Sequence, residues 1–222
     1  MISIALDGPA GAGKSTIAKE LARRFSLVHV DTGAMYRAMG LYFLNKNEDP
    51  ANAEGVIPQL NDIKVSLKFT PEGQRIYLQG EDVTEKIRTP EASMAASAIS
   101  AIPEVRTFLL EQQRQLAREN DVIMDGRDIG TVVLPDATVK IFLTATPEAR
   151  AMRRYKELQE KGTDVTFEEV LADVEKRDFN DSTRAAAPLR QADDAVLADT
   201  SDIDFEQSVT LLASIIDEKL QG

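Results

Sequence analysis

Gly8-Pro9-Ala10-Gly11-Ala12-Gly13-Lys14-Ser15 fits G-x-x-x-x-G-K-[ST], the pattern of a phosphate-binding loop, and its flanks narrow how the chain can fold. Before it, residues 2–7 form a short apolar run that reads as a buried strand. After it, residues 16–25 carry apolar side chains at helical spacing. A strand, a glycine loop and a helix are the context in which this motif works. The glycines let backbone N–H groups turn inward around a phosphate, and the helix N-terminus adds partial positive charge. In such loops the lysine, here Lys14, reaches the β- and γ-phosphates of a nucleoside triphosphate, and the hydroxyl, here Ser15, holds Mg2+.

The rest of the chain continues the alternation. Residues 28–31, 122–125, 139–143 and 195–198 are short, apolar and rich in β-branched side chains, as strands covered on both faces are. Thr146-Pro147-Glu148 opens a helix with threonine as cap and proline in the first turn. Thr166-Phe167-Glu168-Glu169 fits a capping box, and Asp204 caps a last helix running to about Lys219. The expected fold is α/β, a phosphate-binding-loop architecture of three layers with a five-stranded parallel sheet. Ligands bind at the carboxyl ends of such strands, where Asp7, Asp31 and Asp125 stand. Residues 63–69 break the pattern by alternating apolar and polar. With a turn at Thr70-Pro71-Glu72-Gly73, a strand at 75–78 and a third beginning in 80–84, they predict a small antiparallel sheet inserted at about 62–89.

The 222 residues carry a net charge of −11, no cysteine and one histidine, His29. Disulfides, thiolate metal sites and multi-histidine metal sites are therefore excluded. The acidic balance argues against nonspecific nucleic-acid binding, and no run approaches a membrane span. The chain opens on a strand rather than a basic-then-apolar leader, so a cytoplasmic protein is expected.

An acidic chain that handles phosphate must concentrate its arginines locally, which makes each cluster informative. In Asp31-Thr32-Gly33-Ala34-Met35-Tyr36-Arg37, Thr32 and Gly33 suit a strand-to-helix turn, and Arg37 could clamp a second phosphate; the alternative is an exposed helix arginine. Asp125-Gly126-Arg127-Asp128-Ile129-Gly130-Thr131 places Asp125 to contact Mg2+ directly or through water; the alternative is a polar turn whose carboxylates cap backbone N–H groups. Arg150, Arg153 and Arg154 share a helix face, with Lys156, Lys161 and a terminating Gly162 beyond them. Arg177, Asp181 and Arg184 recur at i, i+4 and i+7. A solvated, ion-paired face would explain both sets, and so would clamps on a transferred phosphoryl group.

Taken together these segments resemble the bacterial cytidylate (CMP) kinases of the nucleoside monophosphate kinase group over essentially the whole length. The resemblance rests on residues 7–16, 31–37, Gly80-Glu81-Asp82-Val83-Thr84 with Ile87-Arg88-Thr89, residues 125–131, and Arg177-Asp178, Asp181, Arg184 and Pro188-Leu189. It implies one kinase chain with a core at about 1–33, 107–150 and 190–222, a monophosphate-binding region at 34–106 that includes the inserted sheet, and a lid at 151–165. It implies ATP on Gly8, Pro9, Ala10, Gly11, Ala12, Gly13, Lys14, Ser15, Thr16 and Arg153, with Lys14, Arg153, Arg177 and Arg184 catalytic. It implies CMP or dCMP on Thr32, Arg37, Ser97, Arg106, Arg127, Asp128, Arg177, Asp181 and Arg184. Serine is frequent in the family where this chain has Thr32, and the hydroxyl is kept. The implied reaction is ATP + CMP (or dCMP) → ADP + CDP (or dCDP) with Mg2+, in a monomer serving pyrimidine metabolism.

The chemistry of cytosine agrees with those positions. A carboxylate accepts from the N4 amine, which suits Asp128, and Ser97 and Arg106 can serve N3 and O2. Uracil would set a carbonyl against that carboxylate and leave a repelled, unpaired group. Two rivals remain. Asn45-Lys46-Asn47-Glu48 superficially resembles the N-K-x-D of a switch GTPase, but it follows a helical stretch, and D-x-x-G is absent from the end of the third strand. A kinase of another small acceptor would share the phosphate loop and the lid and differ only at the acceptor end.

Overall fold

The computed structural model describes residues 1–70, 73–160 and 162–221. In chain order, β1 (Ser3–Asp7), α1 (Lys14–Phe25), β2 (Val28–Asp31) and α2 (Thr32–Asn45) come first. A short helix α3 (Ala53–Val56) and a 3-10 turn (Ile57–Asp62) lead to β3 (Val65–Thr70), β4 (Gly73–Leu78) and β5 (Glu81–Asp82). Then follow α4 (Pro90–Ile99), α5 (Pro103–Glu119), β6 (Val122–Gly126), one turn of π-helix (Ile129–Val133) and β7 (Val139–Thr144). The chain finishes with α6 (Pro147–Glu160), α7 (Phe167–Thr183), β8 (Val196–Asp199) and α8 (Phe205–Gln221).

β1, β2, β6, β7 and β8 form one five-stranded parallel sheet in the order β2-β6-β1-β7-β8. β1 lies at its centre, and its alternating side chains serve both faces. Ile4 and Leu6 pack with Leu21, Leu212 and Ile216 on the side of α1 and α8. Ala5 joins Val30, Met124, Ile129 and Val133 on the other side. Burial on both faces is why the inner strands β1, β6 and β7 read as continuous apolar runs, whereas the edge strands β2 and β8 are only partly covered and leave Leu197 exposed. The register sets Asp7 opposite Gly126 and Asp31 opposite Asp125, so the polar strand ends converge on one edge.

The inserted segment is a three-stranded antiparallel sheet, β3-β4-β5. Its inner residues Val65, Ile76 and Leu78 pack on Met39 and Phe43 of α2 and on Val105 and Leu109 of α5. β5 begins within 80–84, as expected, and is two residues long. Pro71 and Glu72 of the expected turn, and Lys161, lie outside the described residues. α6 and α7 form a hairpin around Ala151, Val170 and Val174, with Tyr155 edge-on to Phe167 at 6.2 Å.

The expected caps are in place. Thr166 and Glu169 close a capping box, Thr146 Oγ1 accepts from Ala149 N at 3.2 Å, and Asp204 exchanges hydrogen bonds with Gln207 at 2.8 and 3.0 Å. Three local expectations are corrected. Thr32 and Gly33 are already helical, because the Asp31 carboxylate caps α2 by accepting from Ala34 N at 3.0 Å. Arg184 is the C-terminal cap of α7 rather than part of its face. The last strand begins at Val196, one residue later than its apolar run, since the Ala195 N–H turns back to the carbonyl of Ala192.

Candidate active site

The glycine loop leads from β1 into α1. Gly8 stands where a Cβ would lie 1.9 Å from the carbonyl oxygen of Leu143, so no side chain fits. Gly13, at φ 88°, precedes the helix in the left-handed region and turns the backbone into the cradle. The Lys14 ammonium folds back onto the Pro9 carbonyl at 2.7 Å. Burial, and then the neighbouring Arg127 charge, push its pKa down to about 7. A buried ammonium depressed in this way lacks a counter-anion, which a phosphate would supply.

Ser15 Oγ donates to Asp125 Oδ2 at 2.6 Å, and His29 Nε2 meets Asp125 Oδ1 at 2.7 Å. Burial opposes charge on His29, yet the hydrogen bond and charge of Asp125 hold its pKa above the ordinary histidine value. The hydroxyl and carboxylate are hard oxygen donors that fit Mg2+ beside a triphosphate. Among the described residues no group of three or more acidic, histidine or cysteine side chains forms a metal site.

At the other end of the same cleft, of ≈ 350 Å³, stand the acceptor candidates. Thr32 Oγ1 donates to the Asp125 carbonyl at 2.8 Å, and Arg37 pairs with Asp31 at 2.7 Å. Arg127 Nε donates to Asp181 at 2.7 Å, and Arg106 pairs with Asp128 while lying over the Tyr36 ring at 5.4 Å. Arg184 Nη2 is buried without a hydrogen-bond partner among the described residues, 3.9 Å from Asp128. Burial, with the adjacent Arg106 charge, lowers the Arg184 pKa. Six cations and five carboxylates line this cleft, so its walls are close to charge balance in a chain of net charge −11.

Turn capping does not account for Asp128. Asp128 makes no side-chain cap to the turn that follows it. The Ile129 and Gly130 N–H groups are taken by Asp7 instead, at 2.7 Å each. The Asp128 carboxylate lines the cleft instead, paired with Arg106 and 3.9 Å from Arg184.

The structure gathers Lys14, Ser15, Thr16, Thr32, Arg37, Ser97, Arg106, Asp125, Arg127, Asp128, Arg177, Asp181 and Arg184 on the cleft wall, with Ala10, Gly11 and Gly13. Gly8, Pro9 and Ala12 shape the loop without lining that cavity. The arginines of α6 diverge. Arg150 is buried and ties the Ala10 and Ala145 carbonyls to Asp178 of α7, at 2.9, 2.8 and 2.5 Å. Arg153 donates to the Thr200 carbonyl outside the cleft, and Arg154 pairs with Glu157 at 3.0 Å. A shared helix face did not give them a shared task.

Sequence reasoning gave no role to Tyr36, although it lies within the 31–37 motif, and did not pair His29 with Asp125. It also missed Gln74 of β4, whose amide brackets the Asp31 backbone at 2.8 and 3.2 Å and docks the inserted sheet beside Arg37.

Comparison with known proteins identifies the family. The chain is 53% identical over 206 residues to the cytidylate kinase of Caldicellulosiruptor bescii, covering 93% of this chain and 91% of that one. It is 50% identical over 218 residues to the cytidylate kinase of Carboxydothermus hydrogenoformans, covering 97% of both. An uncharacterized protein from Eubacterium ventriosum shares the fold, with a TM-score of 0.52 at 12% identity over 98% of this chain and 99% of that one. The family model described as cytidylate kinase matches residues 4–218, and the chain belongs to that family of phosphotransferases.

Proposed function

We propose that this chain transfers the γ-phosphoryl group of ATP to CMP and dCMP, with Mg2+, giving ADP and CDP or dCDP. The observation that carries the reading is the pairing of two unlike ends in one cleft: the Lys14 loop at one, and at the other a carboxylate, Asp128, free of turn N–H groups and flanked by the underpaired Arg184. Lys14 and the loop amides hold the donor phosphates, while Ser15 and Asp125 hold the ion. Mg2+ supplies neutralisation of charge on the donor oxygens. Arg37 and Arg127 hold the acceptor phosphate, Asp128 accepts from cytosine N4, Ser97 and Arg106 serve N3 and O2, and Thr32 and Asp181 complete the acceptor wall. No general base is required, because the acceptor phosphate is already an anionic nucleophile. Arg177 and Arg184 stabilise charge on the transferred group. Arg153 joins them when the α6–α7 hairpin closes as a lid over the core and the monophosphate-binding region. A monomeric cytoplasmic enzyme of pyrimidine nucleotide metabolism fits this reading, and no described helix is long and apolar enough to cross a membrane.

An ADP-release assay with CMP, dCMP, UMP, AMP and GMP tests the proposal. CMP and dCMP should be turned over well above the others. Equal turnover of UMP, or none with any nucleoside monophosphate, would refute it.

Two further outcomes follow from the site. Arg37→Ala or Arg127→Ala should weaken CMP binding by roughly 1.5–3 kcal/mol, the range for hydrogen bonds to charged groups, and leave ATP binding measured alone little changed. Loss of ATP affinity with CMP affinity intact would reverse the two phosphate sites. ATP binding should also take up a proton at pH 8. Free Lys14, with its pKa near 7, is mostly neutral there, and contact with the triphosphate raises that pKa. At pH 6 Lys14 is already charged and uptake through it should vanish. Calorimetry in buffers of different ionisation enthalpy reads this directly, and proton release at pH 8 would contradict it.

A further inference from the structure

Asp7 is a buried carboxylate that the reaction does not use. It ends β1, is 4% exposed and lies outside the cleft lining. Its two oxygens accept separately from Ile129 N and Gly130 N, each at 2.7 Å. These amides open the π-helical turn directly after Asp128. Burial, opposed by those two hydrogen bonds, pushes the Asp7 carboxyl up to about 6. With a folded pKa above the unfolded one, ionised Asp7 lowers stability as pH rises from about 4 through 6. Two converging N–H donors need two acceptor oxygens, and an amide would turn its NH2 against one of them.

We infer that Asp7 is a positioning residue for acceptor-base recognition: by capping the 129–130 amides it fixes the backbone from which Asp128 projects. The same residue precedes Gly8, so the donor loop and the base-reading turn share one anchor. The inference rests on the cytosine role proposed for Asp128. A second perturbation reaches the same contact from the opposite side. A Cβ on Gly130 would lie 3.3 Å from Asp7 Oδ2 and 3.2 Å from Lys140 Cδ, so the carboxylate and the lysine stem must yield slightly to admit it.

The test is the CMP/UMP ratio of kcat/KM for wild type, Asp7→Asn and Gly130→Ala, each with Asp128 intact and as Asp128→Asn. Asp7→Asn should narrow the ratio by about tenfold, as one mismatched buried polar contact does, chiefly through KM for CMP rather than kcat. Gly130→Ala should act in the same direction more weakly, and it reads the contact even if Asp7→Asn does not fold. Both effects should disappear in the Asp128→Asn background. A lowered melting temperature with an unchanged ratio would overturn the inference, and so would a narrowing that persists without the Asp128 carboxylate. A high wild-type ratio that neither variant moves refutes the role of Asp7 alone. A wild-type ratio near one refutes the cytosine reading and the inference together.

Discussion

Lys14→Met should lower kcat by at least ~10²-fold, the low end for losing a positioned charge in a transition state, while the fold persists. The lysine contributes little to the free protein. Its ammonium is buried against one carbonyl, Pro9 O, and its pKa is pushed down to about 7. Because the folded pKa lies below the unfolded value of 10.5, stability tied to this group rises with pH between 7 and 10.5, and below 7 the charge opposes folding. Methionine removes that opposition and keeps the apolar stem, so the variant should melt no lower than wild type at pH 6. Near-normal turnover in a folded Lys14→Met protein would sink the assignment of this loop to the donor phosphates.

Asp128→Asn should bring a large loss of CMP activity and narrow the CMP/UMP ratio of kcat/KM by about tenfold or more, since one mismatched buried polar contact is worth ~1–3 kcal/mol. The asparagine amide offers a donor that uracil's carbonyl can accept. Melting temperature alone does not discriminate here. Arg106 loses its charged partner in the variant, so some destabilisation is expected on any account. The ratio does discriminate. Asp7, not Asp128, caps the following turn, so a purely structural Asp128 would leave the ratio unchanged. That result would remove Asp128 from base recognition.

What the sequence made legible, and what it hid, divides by the range of the interactions involved. β1, α1 and the loop between them were readable because each depends on its own residues: an apolar run, glycines in left-handed backbone, helical spacing. The caps at Thr166 and Asp204 were readable for the same reason, since donor and acceptor lie three residues apart. The candidate acceptor residues were readable only as separate segments, at 31–37, 125–131 and 177–184; the sheet order brings the first two to one edge and α7 sets the third against the same cleft. Pairings across the fold were not legible. Nothing in β4 marks Gln74 as the partner of the Asp31 backbone, and nothing near His29 points to Asp125, 96 positions away. The arginines of α6 failed differently. Their spacing was read correctly, but each one's partner comes from another element: Asp178 for Arg150 and the Thr200 carbonyl for Arg153, while Arg154 finds Glu157 locally.

The central claim is that one end of the cleft takes a triphosphate and the other reads cytosine independently of it. Calorimetric titration of CMP and of UMP, with and without a saturating non-hydrolysable ATP analogue, tests this most directly. CMP should bind in both conditions, and UMP at least about tenfold more weakly, as one unmet buried hydrogen bond requires. Displacement of CMP by the analogue, or equal binding of CMP and UMP, would contradict it.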